Sequence, residues 1–340
     1  MTIRRTGRLL GATSAIAALV LGLSGCGGGT DSAESGKIAV VASTNVWASV
    51  VTAVGGEHVS VTSVIDDPAA DPHAYQATAE DAADVQDADL VLYNGGGYDE
   101  FFTQMAGQAP DVRELVAFDI SGKAGAEEHG EEHSEEHGEE RGEEHAEHEE
   151  PGEHQDHGDE HGHAGVNEHV WYDLATVGKV ADQVATQLGE LRPEQQATFT
   201  GNAAAFHAEL DTLSGQVESL ATEQPGAEVL ATAPVADYLL EAAGATDVTP
   251  EDFLEAVESE TDVPVAAQER MNRLVSGGTV RAVVHNVQTE SPATERVVAA
   301  AGEAGVPVVD VTETLPEGQK GYIAWMGEQV SALSAALGTP

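Results

Sequence analysis

The chain has 340 residues, 41% of them hydrophobic, enough for two medium lobes or one large domain. Sixty acidic and 14 basic residues give a net charge of −46. That balance argues against nucleic acid and anionic lipid headgroups, which are held through Lys and Arg, and suits a cation instead.

Arg4, Arg5 and Arg8 precede an apolar run, Leu9 to Leu23, which leads into Leu23-Ser24-Gly25-Cys26. The run is too short for a comfortable spanning helix and is closed at once by glycines. It resembles a bacterial lipoprotein signal. Residues 1–26 then form the signal peptide and lipobox, Cys26 becomes the lipidated N-terminus that anchors the chain to the cell membrane, and 27–36 is a flexible tether. Cys26 is the single cysteine, so disulfides and thiolate metal sites are excluded from the folded part. Any metal falls to His, Asp and Glu.

The folded part opens with a β-branched run, Lys37 to Ser43. A helix over Val46–Val54, a strand over Val59–Val64 and a helix over Thr78–Asp87 follow. Leu90–Tyr93 reads as a buried strand, a helix passes through Phe101 and Phe102, and Leu115–Ile120 is expected as the last strand of the first lobe. Alternating strands and helices predict a parallel α/β fold. Residues 127–163 break the rhythm, because they carry almost no apolar side chains and are expected to lack fixed structure without metal. Order returns at Glu168-His169-Val170-Trp171-Tyr172-Asp173 and a helix to Leu188. Apolar residues at three- and four-residue spacing from Phe199 to Leu220 predict a long helix from about Pro193. The α/β rhythm resumes with strand Glu228–Ala231, helix Val235–Ala243, strand Ala282–His285, helix Pro292–Ala304, strand Val306–Val311 and helix Ile323–Leu337. The expected architecture is two α/β lobes, each a parallel sheet flanked by helices, at 37–190 and 226–340. One long rigid linker helix at 191–222 joins them.

Two constellations carry chemistry. The first is the segment 127–163, in which Glu-Glu-His-Gly/Ser repeats every four residues around nine histidines: His129, His133, His137, His145, His148, His154, His157, His161 and His163. Imidazoles among carboxylates suit zinc, copper and nickel. The glycines leave no fixed geometry, so the segment reads as a collecting arm with exchangeable sites of modest affinity. The second constellation is spread through the lobes. Pro72 keeps the backbone at Asp71-Pro72-His73 out of helix, so His73 can project from a loop. His169 sits just before a helix. The strand ending in Asp310-Val311-Thr312-Glu313 puts carboxylates at a strand's carboxyl end, where open α/β sheets collect ligands.

Ala42-Ser-Thr-Asn-Val-Trp47, Asp71-Pro-His-Ala-Tyr75, Ala88-Asp89-Leu90, Tyr93-Asn94-Gly95, the His-rich insert, His169-Val-Trp-Tyr172 and Val311-Thr-Glu-Thr-Leu-Pro316 together resemble the zinc/manganese substrate-binding lipoproteins of ABC importers. The resemblance covers nearly the whole mature chain in order. It implies a non-enzymatic, monomeric receptor that binds one ion in the cleft between its lobes and delivers it to the permease and ATPase of an importer. His73 and His169 match the family's first two ligands, and Glu313 is the choice for its late carboxylate, with Asp310 in reserve. The third family position falls on Ala233, which has no ligand atom. Water, His285 or a histidine of the insert could take its place. Zn2+ is favoured as the transported ion and Mn2+ is the alternative. A surface buffer or adhesin acting through the insert alone is a further reading. A metalloenzyme is disfavoured, because no His-Glu-x-x-His motif or organised general base is present.

Overall fold

The computed structural model describes residues 36–68, 70, 72–123, 166–259 and 261–338. The signal region with Cys26, residue Asp71 and the His-rich segment 127–163 lie outside these.

In chain order the first lobe comprises Ile38–Thr44 (β1), Asn45–Gly55 (α1), Val59–Ile65 (β2), Ala79–Asp87 (α2), Leu90–Tyr93 (β3), Glu100–Ala106 (α3), Arg113–Val116 (β4) and Ala117–Ser121 (α4). The sheet order is β2-β1-β3-β4 and every pairing is parallel. Valine-rich β1 and the wholly buried Leu90–Tyr93 form its centre, as expected of strands covered on both faces. Leu174–Leu191 (α5) and Gln196–Glu223 (α6) follow. The second lobe comprises Glu228–Ala231 (β5), Asp237–Ala242 (α7), Thr246–Asp247 (β6), Glu251–Glu258 (α8), Val265–Ser276 (α9), Ala282–Asn286 (β7), Pro292–Ala304 (α10), Val308–Val311 (β8) and Tyr322–Leu337 (α11). Its sheet order, β6-β5-β7-β8, repeats that of the first lobe, again all parallel.

The long helix α6 has 28 residues and buries Phe199, Ala203, Phe206, Leu210, Leu213, Val217 and Leu220 along one stripe. At 1.5 Å per residue it spans about 42 Å. It packs against α1 and α5 of the first lobe and against α7 and α11 of the second. One continuous apolar cluster therefore runs from β1 through this helix to β7, and it includes the buried Trp47, Trp171 and Trp325.

One expectation changes, and one unread stretch is filled. Leu115–Ile120 is not a single strand. The chain leaves the sheet after Val116 and turns into α4, because Phe118 N–H bonds back to Asn94 O at 2.8 Å and Gly122 ends the helix with φ +77°. The stretch between Ala243 and Ala282, to which no element was assigned from sequence, holds β6, α8 and α9. Among the described residues no helix is long and apolar enough to cross a membrane.

Candidate metal site

Both sheets turn the carboxyl ends of their strands toward the same cleft. Loops after β2, β3 and β8 carry His73, Asn94 and Glu313, Asn286 is the last residue of β7, and His169 lies on the segment that leads into α5. Ligands of open α/β sheets gather at such ends.

His73, Glu168 and His169 each offer a donor atom, and these atoms lie within 4.8 Å of one another. His73 Nε2 also lies 3.5 Å from Glu313 Oε2. The structure thus brings together His73, His169 and Glu313 and adds Glu168, which sequence reasoning passed over although it adjoins His169. Asp310 and His285 are placed elsewhere. They face each other across the β7–β8 register, with Asp310 Oδ1 3.2 Å from His285 Nδ1 and the Asp310 side chain 69% exposed. Ala233 is buried and offers only a methyl group. His207, on α6, pairs with Asp182 at 3.0 Å.

Each ligand candidate is held by identifiable neighbours. His169 is fully buried. Its backbone N–H and its ring Nδ1 both lie 2.8 Å from Asn167 Oδ1. Since that oxygen can only accept, the proton resides on Nδ1 and Nε2 keeps its lone pair. Nε2 is buried without a partner, an arrangement that costs free energy unless a cation fills the place. Burial also lowers the pKa of His169 against the opposing pull of Glu168 and Glu313, which favours the neutral imidazole a metal requires. Asn167 Nδ2 in turn donates to Pro234 O at 2.7 Å and to Asp237 Oδ2 at 3.3 Å, so it bridges the lobes.

Glu313 is 1% exposed. Its Oε1 accepts from Asn286 Nδ2 at 2.7 Å, while Oε2 faces His73 Nε2 at 3.5 Å. Burial would raise its pKa, but the contact with His73, the nearby His169 and the Asn286 bond hold it below the usual glutamate value. For His73, burial works downward and is outweighed by the Glu313 contact and the charges of Glu313, Glu258 and Glu168, so its pKa is raised to about 9. Gln288 secures both loops. Its Oε1 accepts from Glu313 N at 2.5 Å and Thr314 N at 3.3 Å, and its Nε2 donates to Ala70 O at 2.9 Å, just ahead of the His73 loop.

The turn after β3 positions the His169 segment. Buried Asp99 accepts from Asn94 N at 2.7 Å and Gly95 N at 2.8 Å. Asn94 Nδ2 then donates to Glu168 O at 2.9 Å. Gly96 has φ +68°, and a Cβ there would come within 2.7 Å of the Phe118 ring, so the turn requires glycine. Tyr98 closes the wall, its ring edge-on to His73 at 5.0 Å and to His169 at 5.9 Å.

Two further acids approach from the second lobe. Burial and then the charge of Asp247 push the pKa of Asp237 up to about 7. Burial, followed by Glu168, pushes that of Glu258 up to about 8, against the lowering effect of His73. Neither was singled out from sequence.

A family model described as zinc-uptake complex component A, periplasmic, matches residues 40–336. The metal ABC transporter substrate-binding lipoprotein FimA of Streptococcus parasanguinis is 32% identical over 108 residues, 31% of this chain and 35% of FimA. The manganese-binding lipoprotein MntA of Bacillus subtilis is 26% identical over 206 residues, 60% of this chain and 56% of MntA. The chain therefore spans between 35% and 56% of the length of these relatives. Among solved structures, the periplasmic zinc-binding protein TroA from Treponema pallidum superposes with a TM-score of 0.65 at 19% identity, covering 89% of this chain and 99% of that one. At that identity the likeness is one of fold.

Proposed function

The chain belongs to the zinc-uptake component A family, and we propose that it captures one divalent transition-metal ion, zinc by preference, outside the cell membrane and passes it to an ABC importer. The observation that carries this reading is the buried, unpartnered Nε2 of His169, facing His73 and Glu168, with Glu313 Oε2 3.5 Å from His73 Nε2. Two imidazoles and carboxylates without thiolates form a donor set suited to zinc.

In this reading the metal-free cleft holds a proton on His73, paired with Glu313. An arriving ion displaces that proton, because an imidazolium cannot ligate. His169 needs no such exchange, since its Nε2 already carries a lone pair directed by Asn167. The carboxylates of Glu168 and Glu313 would complete the site from opposite lobes. The same two carboxylates favour manganese as a second reading, because oxygen donors suit that ion. The His-rich segment 127–163 is proposed as an accessory collector and Cys26 as the lipidated anchor. The monomer delivers its cargo to the importer's permease and ATPase.

Calorimetric titration of residues 27 onward with Zn2+ and Mn2+, with and without 127–163, tests this. One tight zinc site should survive the deletion and disappear in His73→Ala. If all tight binding is lost with the segment, the protein is a buffer acting through its insert and the receptor reading falls. A tighter site for Mn2+ than for Zn2+ would select the second reading.

A further inference from the structure

A carboxylate can hold a cation through one oxygen or through both, and the choice sets how many donors the ion meets. Zinc in a closed site takes four donors, whereas manganese favours octahedral, oxygen-rich surroundings. Whatever occupies the second oxygen of a ligating carboxylate therefore bears on which ion fits.

Glu313 is pinned at one oxygen. Its Oε1 accepts from Asn286 Nδ2 at 2.7 Å, and its Oε2 is the atom turned to His73 Nε2, 3.5 Å away. Asn286, the last residue of β7, is itself fully buried. Its Nδ2 also donates to Thr289 Oγ1 at 3.0 Å, its Oδ1 accepts from Gln288 N at 3.2 Å, and its backbone N–H donates to Thr232 Oγ1 at 3.0 Å. The amide cannot be turned over, because its oxygen would then meet an acceptor-only carboxylate and its NH2 would meet the Gln288 N–H. The backbone of Glu313 is held as well, since its N–H donates to Gln288 Oε1. One oxygen of Glu313 thus remains for the cleft. With one donor atom each from His73, Glu168 and His169, the count reaches four.

We propose that Asn286 determines specificity: by occupying Oε1 it restricts Glu313 to a single donor oxygen and so favours zinc over manganese. An ion that needs both oxygens must break a buried hydrogen bond to a charged group, and the Asn286 N–H then has no acceptor. Asn286 acts through Glu313 and is a positioning residue. The proposal rests on the receptor reading above and names what biases that receptor toward zinc.

The test uses the full chain, with Zn2+ and Mn2+ affinities measured by chelator competition. The visible absorption of bound Co2+ reports coordination number, because four-coordinate Co2+ absorbs far more strongly than six-coordinate Co2+. Asn286→Ala frees Glu313 Oε1, and Asn286→Asp keeps the shape and the acceptor for Gln288 N while withdrawing the donor. In both variants the ratio of zinc to manganese affinity should fall about tenfold or more, and the Co2+ band should weaken. An unchanged Co2+ band, or equal losses for the two ions, overturns the proposal, because Asn286 would then only hold its loop. So does failure of both variants to fold, read by metal-free melting, or a wild type that binds Mn2+ more tightly than Zn2+. In each of these cases loss of tight binding in His73→Ala keeps the receptor reading. Tight binding retained in His73→Ala overturns that reading itself.

Discussion

His73 Nε2 lies 3.5 Å from Glu313 Oε2, so an imidazole of the first lobe and a carboxylate of the second meet across the cleft. With the His73 pKa raised to about 9, this pair is charged at neutral pH. Metal capture is then an exchange of ions. At about pH 7.5 calorimetry in buffers of different ionisation enthalpy should find close to one proton released per zinc bound, falling toward zero above about pH 9.5. An ordinary histidine, with a pKa of about 6.5, would place this dependence lower. The carboxylates around His73 move its share upward. Binding that releases no proton at neutral pH would contradict the His73 assignment.

The same shifts fix how the metal-free protein responds to pH. His73 is raised to about 9, Asp237 to about 7 and Glu258 to about 8. A group whose folded pKa is raised contributes stability that is present below its unfolded value and lost as pH rises through the folded one. All three lose their contribution on the way to pH 9. His169, lowered by burial, acts in the opposite sense, but its loss occurs as pH falls below about 6.5. Thermal melting of the metal-free protein should therefore decline between about pH 6.5 and 9. Zinc should reverse the slope, since it binds more tightly as His73 loses its proton. A flat or rising melting temperature without metal would show that these groups do not carry the shifts described.

Asn167 holds His169 in the tautomer that leaves Nε2 free and links it to Pro234 and Asp237 of the second lobe. Partners of ligating histidines are worth about 10–100-fold in metal affinity. Asn167→Ala should weaken zinc binding by about that factor. Loss of its hydrogen bonds should lower stability by only about 1–3 kcal/mol. Chelator competition and chemical denaturation on the same sample separate the two effects. Unchanged affinity would mean that packing by Trp171 and Tyr98 alone orients the ring.

The parallel strands were legible in sequence because runs such as Val40-Val41 and Leu90–Tyr93 are buried on both faces and leave continuous apolar stretches. His73, His169 and Glu313 were legible from their motifs, and they do converge. Glu168 stood beside His169, yet one adjacent acid among 60 acidic residues carries no signal of its own. Asn167 and Gln288 act through tertiary placement, which no local pattern encodes. The helix α8 had a readable stripe in Phe253, Ala256 and Val257, but its eight residues lie among acids and prolines that mask the period. The strand expected over Leu115–Ile120 failed because an apolar run does not distinguish a strand from a strand followed by one buried helical turn.

The loop that carries Glu313 is bound to the first lobe more firmly than a wide hinge would allow. Asn45 Oδ1 accepts from Leu315 N at 2.8 Å while its Nδ2 donates to Leu315 O at 3.1 Å. Tyr172 OH donates to Thr312 O at 2.8 Å, and Ser49 Oγ accepts from Tyr322 N at 2.8 Å. Together with the continuous core through α6, these bonds confine opening to small movements of the ligand loops. Asn45→Ala removes both bonds to Leu315 and leaves a partly buried N–H and C=O unsatisfied, at a cost of about 1–3 kcal/mol. Because Glu313 lies two residues from Leu315, the lost restraint should be expressed at the metal. Stopped-flow release to a chelator should be faster in Asn45→Ala, while the association rate changes little, since affinity differences within one site reside mainly in dissociation. Unchanged release with reduced stability would place the segment's role in folding alone. Faster release with unchanged association would identify the Asn45–Leu315 contact as the restraint on Glu313.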